Sequence, residues 1–495
     1  MKTRLSPLPI VIVLLLGTFA CTLSGEQSLP QAAPSQSGTP TLDPAATPGS
    51  TYLPTVTASY SSGLLQPTGL TYLGAFRLPD QGERPLTFEY GGNAMTFNPN
   101  GDPAGAADGF PGSLFITGHD RLAYGELPDG SQVAEVAIPV PAVAADPAGL
   151  PQTTFLQTFQ NVTAGTFTDM EEIVRIGMEY LDHPATGPVI HLAWGQHFEP
   201  EPPAATHAWF SPNLSAPNLQ GTWFIGDQSF YSVTDYLFEI PAAWADTYAS
   251  GQYLATGRFR DGGWSGMGPV IIAYRPWLDE QGTPAQPGTH LEETALLLYE
   301  NSFNTSTIER CLDGYQHPDE WNGGAWITTQ AGASAVLFAG TKSDGAKYWY
   351  GYIHPAGPEF ACVDQEFVGQ FEVCRMADGS PCPPEDLIEC AGHTSGRGWW
   401  STHFDAQFLL YDPADLARVA TGELESWEPQ PYAVIDIDEH LFNNPAGIEP
   451  DMLGTGDQRR YRIGDVAYDR ENSLLYVLEL FADGAKPVVH VWLVQ

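Results

Sequence analysis

Residues 463–494 read IGDVAYDRENSLLYVLELFADGAKPVVHVWLV, and this stretch decides the fold. Two apolar runs rich in β-branched and aromatic residues flank Asp483-Gly484. Asp-Gly between such runs marks a hairpin, because glycine accepts the positive φ that the turn requires. The same plan recurs from Ser113 to Ile138 around Asp129-Gly130 and from Ala335 to Ile353 around Asp344-Gly345, and Asp-Gly-Ala-Lys appears at both 344–347 and 483–486. Each unit follows a strand marked by glycine: Gly91-Gly92-Asn93-Ala94-Met95, Gly323-Gly324-Ala325-Trp326 and Gly464-Asp465-Val466-Ala467-Tyr468. Small residues there suit strand starts crowded by another backbone.

Working outward, strand signals dominate the chain after residue 62, and long helical periodicity is absent. A second echo pairs the segment from Phe238 to Trp244 with that from Leu410 to Leu416. Each leads through a short helical turn to a glycine, Gly251 and Gly422. Proline at a helix start and glycine past its end fit such brief helices. Recurring units of three or four strands in a long all-β chain resemble the β-propeller superfamily, at the level of architecture. The resemblance implies five blades, or six, with units near residues 90–160, 170–259, 264–300, 322–436 and 463–495. Leu70 to Leu78 lacks a neighbouring partner, so it is expected to pair with the last blade and close the ring, which removes exposed sheet edges. Two stacked β-sandwich domains are the alternative.

Ahead of this body, Lys2 and Arg4 precede an apolar run from Ile10 to Leu16, and Thr18-Phe19-Ala20 meets Cys21. That is the plan of an export signal over residues 1–21. Ala20-Cys21 resembles the end of a bacterial lipoprotein signal, which implies a lipid on Cys21. The small-x-small triplet fits ordinary cleavage and free secretion as well. Residues 22–62 are mostly Ser, Thr, Pro, Ala and Gly, cannot bury enough surface to offset chain entropy, and read as a disordered tether. The folded body is then 63–495, with a cysteine-rich insertion near 355–404.

With 20 basic and 59 acidic residues the net charge is −39, which excludes binding to a phosphate backbone. Acidity of this kind keeps a protein soluble or gathers Ca²⁺. Besides Cys21, the cysteines are Cys311, Cys362, Cys374, Cys382 and Cys390, and disulfides are the expectation for an exported chain. A zinc site with His393 or His403 is disfavoured, since C-x₇-C-x₇-C is not the short spacing of structural zinc.

The resemblance further implies a ligand site where first strands begin and second strands end, around the central opening. Strand starts supply Asn93, Asp169, Glu171, Trp264, Asn322, Arg462 and Asp465; second-strand ends supply His119, Asp120, His197, Lys342 and Glu479. In Asp169-Met170-Glu171-Glu172 the period of two puts Asp169 and Glu171 on one face, the arrangement of a glycosidase acid with a second carboxylate. Glu479 interrupts the apolar run Leu475 to Leu480 and needs a partner, with Lys342 or Arg462 as candidates. His119 and His197 are a weak pair of metal ligands. Asn98, Asn100 and Asp102 imitate a calcium loop, yet Pro103 and Gly109 replace its glycine and glutamate, so a plain turn is expected. No nucleophile elbow or phosphate loop is present, because Gly263-Trp264-Ser265-Gly266-Met267 fails the elbow pattern at its last position. Ser343-Asp344-Gly345 with Trp349 resembles a worn Asp-box turn of sialidase propellers. Trp399-Trp400 in a loop-like setting offers flat faces for sugar rings.

Two functions follow as expectations. The first is an exported binding module, favoured by the tether, the aromatic loops and the lack of a complete catalytic signature in the sequence: a surface-tethered monomer that takes a glycan, peptide or protein at the channel mouth, with no cofactor beyond optional Ca²⁺. The alternative is an exported polysaccharide hydrolase or lyase that uses Glu171, Asp169 or Glu479.

Overall fold

The computed structural model describes residues 63–83, 85–102, 105–119, 132–166, 175–195, 203–277, 285–302, 310–349, 367–368, 371–372, 399–448, 453 and 459–495. Five antiparallel sheets carry the fold. Blade I holds β2 (Met95–Asn98), β3 (Ser113–Thr117), β4 (Gln132–Ala137) and β5 (Phe155–Asn161). Blade II holds β6 (Arg175–His183), β7 (Gly187–Gly195), β8 (His207–Phe210) and β9 (Gln220–Ile225), and β13 (His290–Leu291) joins β9 in parallel. Blade III is β10 (Tyr236–Glu239), β11 (Leu254–Gly257), β12 (Ile271–Tyr274) and β14 (Glu293–Leu297). Blade IV is β15 (Glu320–Thr328), β16 (Ser334–Trp349), β19 (Trp399–Tyr411) and β20 (Ala433–Asp436). A small hairpin, β17 (Phe367–Val368) and β18 (Phe371–Glu372), lies between β16 and β19 in sequence. Blade V is β21 (Ile463–Asp469), β22 (Leu474–Asp483), β23 (Lys486–Val494) and, from the other end of the chain, β1 (Leu70–Arg77). The chain is a five-bladed β-propeller.

Closure is visible in which first strands touch: β2 meets β6, β6 meets β10, β10 meets β15, β15 meets β21, and β21 meets β2. The apolar packing repeats this circle, with one core between each neighbouring pair of blades. Strand β22 shows why. Its period of two sends Leu474, Tyr476 and Leu478 into the core shared with blade I, and Leu475 and Val477 into the core shared with blade IV. A strand buried on both faces therefore reads as the unbroken run LLYVL rather than an alternation. The ring seals as expected by β1 on β23, in register from Leu70 opposite Val494 to Arg77 opposite Val488.

The glycines of the first strands are the consequence of a narrow centre. A Cβ on Gly323 would lie 2.6 Å from the Val466 nitrogen, and one on Gly464 would lie 2.7 Å from the Gly92 oxygen. Both brief helices also form: α1 (Ala242–Tyr248), and α2 (Pro413–Ala420), where Asp412 caps the start by accepting from the Ala414 amide at 2.8 Å. Gly251 and Gly422 follow them at φ 77° and 74°.

Three expectations need correction. The second and third units divide at Tyr236, because Tyr236 to Gly257 supplies the first two strands of blade III rather than the end of blade II. The stretch 264–300 supplies the other two strands of that sheet, β12 and β14. Asp344-Gly345 is a bulge inside the long strand β16, whose partner is β19, so neither a hairpin nor an Asp-box turn forms there. Trp399 and Trp400 begin β19, in register with Trp349 and Tyr348, rather than lying in a loop.

Candidate functional site at the channel mouth

First strands begin, and second strands end, on one side of the ring. There the sequence places charge in positions that the packing buries. Arg175 opens β6, Asp235 precedes β10, Arg258 and Arg260 follow β11, and Asp319 and Glu320 open β15. Lys342 lies in β16, and Arg460 and Arg462 precede β21. Six of the chain's 20 basic residues thus meet near one another, although the protein as a whole is strongly acidic.

Glu320 is the hub. Arg460 Nη1 donates to its Oε1 at 3.1 Å, Arg260 Nη1 lies 3.6 Å from the same oxygen, and Arg462 Nη1 lies 3.6 Å from Oε2. Burial alone would push this carboxyl up, but Arg460, Arg462, Arg260 and Arg175 together overcome it and hold Glu320 at about 2. Burial and mutual repulsion act in the other direction on the cations, bringing Arg260 down to about 10 and Arg462 to about 9. Glu320, Arg260 and Arg462 therefore remain charged at neutral pH. Asp235 receives the amide of Phe259 at 2.7 Å and pairs with Arg258 Nε at 3.4 Å. The Phe259 ring is fully buried and carries Arg175, Arg260 and Arg258 at 4.3, 4.8 and 5.1 Å from its centroid, which supplies cation–π attraction in place of solvent.

The apolar edge of this group leads outward. Arg258 lies 5.4 Å from the Tyr231 ring, and Tyr231 packs at 4.9 Å on Trp264, whose side of the molecule is open, the residue being 40% exposed. Trp264, a strand-start candidate from the sequence, thus lies exposed beside the charged group.

The other sequence candidates separate into three groups. Arg462 and Lys342 belong to the charged cluster, but neither serves Glu479: Lys342 Nζ binds Asp319 at 3.0 Å, and Arg462 faces Glu320. Glu479 instead takes His490 Nε2 at 2.9 Å and the amides of Phe442 and Asn443 at 2.9 and 2.5 Å. His490 Nδ1 continues to the Tyr72 hydroxyl at 2.9 Å. This chain pins the loop after blade IV to blade V, so Glu479 is a fastening rather than an open acid. Asp465 is fully buried and accepts the Met95 amide at 3.0 Å, tying blade V to blade I. Asn93 lies buried just before β2, Asn322 sits half-buried at the β15 bulge, and His119 is buried with its Nδ1 2.8 Å from the Glu89 carbonyl. Asn98 and Asn100 sit in a turn closed by the Asn98 side chain, as expected, with Asn98 also donating to Glu135 at 3.0 Å. Asp120, Asp169, Glu171 and His197 lie outside the described residues, as do Cys21, Cys362, Cys374, Cys382 and Cys390. Cys311 is buried and is not a free thiol. Among the described residues no cluster of His, Cys, Asp or Glu has the form of a metal site.

Sequence reasoning missed Arg175, Arg258, Arg260, Glu320 and Arg460. A signal was present: in a chain with 20 basic residues, Arg258-Phe259-Arg260 and Arg459-Arg460-Tyr461-Arg462 are dense. Four residues along β6 from Arg175, Glu179 accepts from Thr96 Oγ1 at 3.0 Å and from the Glu239 amide at 3.1 Å. Burial, then the neighbouring Glu239, push its carboxyl to about 8, so this buried acid is mostly neutral at pH 7.

No protein family profile matches the chain, and no characterised protein matches it in sequence. Among solved structures, a humanized mutant of the Chaetomium thermophilum Polycomb Repressive Complex 2 bound to the inhibitor GSK343 is similar at 10% identity over 86% of this chain and 97% of that one, with a TM-score of 0.27. A superposition that loose carries no argument about fold or function.

Proposed function

We propose that this protein is an exported, surface-tethered binding module whose ligand docks at the mouth of the propeller channel. The observation that supports it best is convergence: side chains from blades II, III, IV and V meet at one end of the ring, beside the exposed Trp264. Glu479, one of the acids a hydrolase would need, is instead consumed by His490 and two backbone amides. Export rests on the sequence of residues 1–21, with Cys21 as the lipid attachment point and 22–62 as the spacer. Among the described residues no helix is long and apolar enough to cross a membrane, and attachment through Cys21 requires none. Disulfides among Cys311, Cys362, Cys374, Cys382 and Cys390, and a monomeric state, belong to the same reading.

The test is turnover against retention. The full chain is incubated with a panel of polysaccharides, and both bound ligand and released products are measured. Binding without products supports the module. Products that disappear in Glu171→Gln establish the hydrolase or lyase in its place.

A further inference from the structure

Among the described residues the mouth cluster does not balance its own charge. Arg175, Arg258, Arg260, Lys342, Arg460 and Arg462 supply six positive charges, and Asp235, Asp319, Glu320 and Asp261, which lies beside Arg260, supply four negative ones, leaving 6 − 4 = +2. Buried guanidinium groups are costly unless they are paired and hydrogen-bonded. Yet Arg175, 4% exposed, has no hydrogen-bond partner on Nε or Nη1, and Arg462, 5% exposed, has none on Nη1. Within electrostatic reach of Arg175, the buried Asp235 Oδ1 lacks a donor. The same few residues therefore offer unfilled donors and one unfilled acceptor beside an aromatic rim.

We propose that this cage binds an acidic sugar, with its carboxylate held by Arg175 and Arg462, one of its hydroxyls donating to Asp235, and its ring face against Trp264. The inference rests on the reading of the mouth as a ligand site and names the ligand class. Planar guanidinium forks match the two oxygens of a carboxylate, and an oxyanion there offsets the surplus of two charges. A hydroxyl supplies what Asp235 Oδ1 needs, and indole faces stack on sugar rings. Glu320 pairs with Arg462, and with Arg260 and Arg460 beside it, so that side of the cage is arranged before the ligand arrives. Since Arg462 is held at about 9, affinity for the anion falls as pH rises through that value.

Calorimetric titration of the full chain with glucuronate, glucose and sulfate tests this, alongside Arg175→Met and Arg175→Lys. The expected result is glucuronate binding at least tenfold tighter than glucose, weakening with added KCl, and falling at least tenfold in Arg175→Met. Arg175→Lys, which keeps the charge and loses the fork, falls between. Arg175→Met should also unfold no more easily than the wild type, because it removes a buried cation with unfilled donors. Equal affinity for glucose and glucuronate, untouched by salt, overturns the acidic-sugar assignment and leaves the mouth-binding reading in place. Binding of sulfate without glucuronate overturns it as well. Failure of all three probes overturns the proposal, and a less stable Arg175→Met then marks Arg175 as a structural residue; the underlying reading falls only if the polysaccharide panel also shows no retention.

Discussion

Replacing Glu320 with glutamine keeps the shape of the hub and removes its charge. A carboxyl held at about 2 against an ordinary 4.5 has its ionised form favoured by about 3 kcal/mol, at 1.36 kcal/mol for each tenfold change in proton affinity. Removing one member of a buried ion pair typically costs about 3–5 kcal/mol, so the two routes agree. With an unfolding entropy of about 2.1 cal/mol/K per residue over roughly 430 residues, the loss lowers Tm by about 3–5 °C. The pH dependence has a definite sign. The folded value lies below the unfolded one, so this stability is full above pH 4.5 and is lost as pH falls toward 2. Urea unfolding of wild type and Glu320→Gln at pH 7 and at pH 3 measures both effects. The gap should be about 3 kcal/mol at pH 7 and narrower at pH 3. A gap under 1 kcal/mol at pH 7, or one of equal size at both, refutes the role given to Glu320.

Three further outcomes follow from the geometry. Glu479→Ala leaves the Phe442 and Asn443 amides and His490 without their acceptor, at a cost of about 3 kcal/mol, and hydrogen exchange at those two amides should accelerate before the sheets open. Gly323→Val drives a side chain into the backbone of Val466 and Asp465, costing about 2 kcal/mol or more by calorimetry; an unchanged Tm would contradict the crowded centre. Deleting residues 70–77 bares the edge of β23, and the truncated chain should self-associate in sedimentation where the intact one does not.

The fold was legible because its units repeat. Hairpins at Asp483-Gly484 and between β3 and β4, the glycine-marked first strands and the closure by β1 all rest on local signals that the ring preserves. The misplaced boundary at Tyr236 came from a blade whose strands are only four or five residues long, too short for periodicity to separate them from the sheet before. Asp344-Gly345 carries the hairpin dipeptide, yet β19 pairs on both sides of it, and that long-range partner overrides the local turn preference. The site was legible in outline alone. Position along the strands pointed to Lys342, Arg462 and Trp264, which lie in or beside the charged cluster, because topology fixes which strand ends gather on one side of the ring. It could not find the partners: Glu320 meets Arg460 across 140 residues, and Glu479 meets His490 rather than a cation. Such pairings depend on register between distant strands, which no local pattern encodes.

Diffraction from crystals of the full chain soaked in selenate tests the central claim most directly. The account predicts a closed ring of five blades with an anomalous selenium peak at the mouth, within hydrogen-bond reach of Arg175 and Arg462. A mouth without that peak, in crystals where selenate occupies other basic side chains, contradicts it.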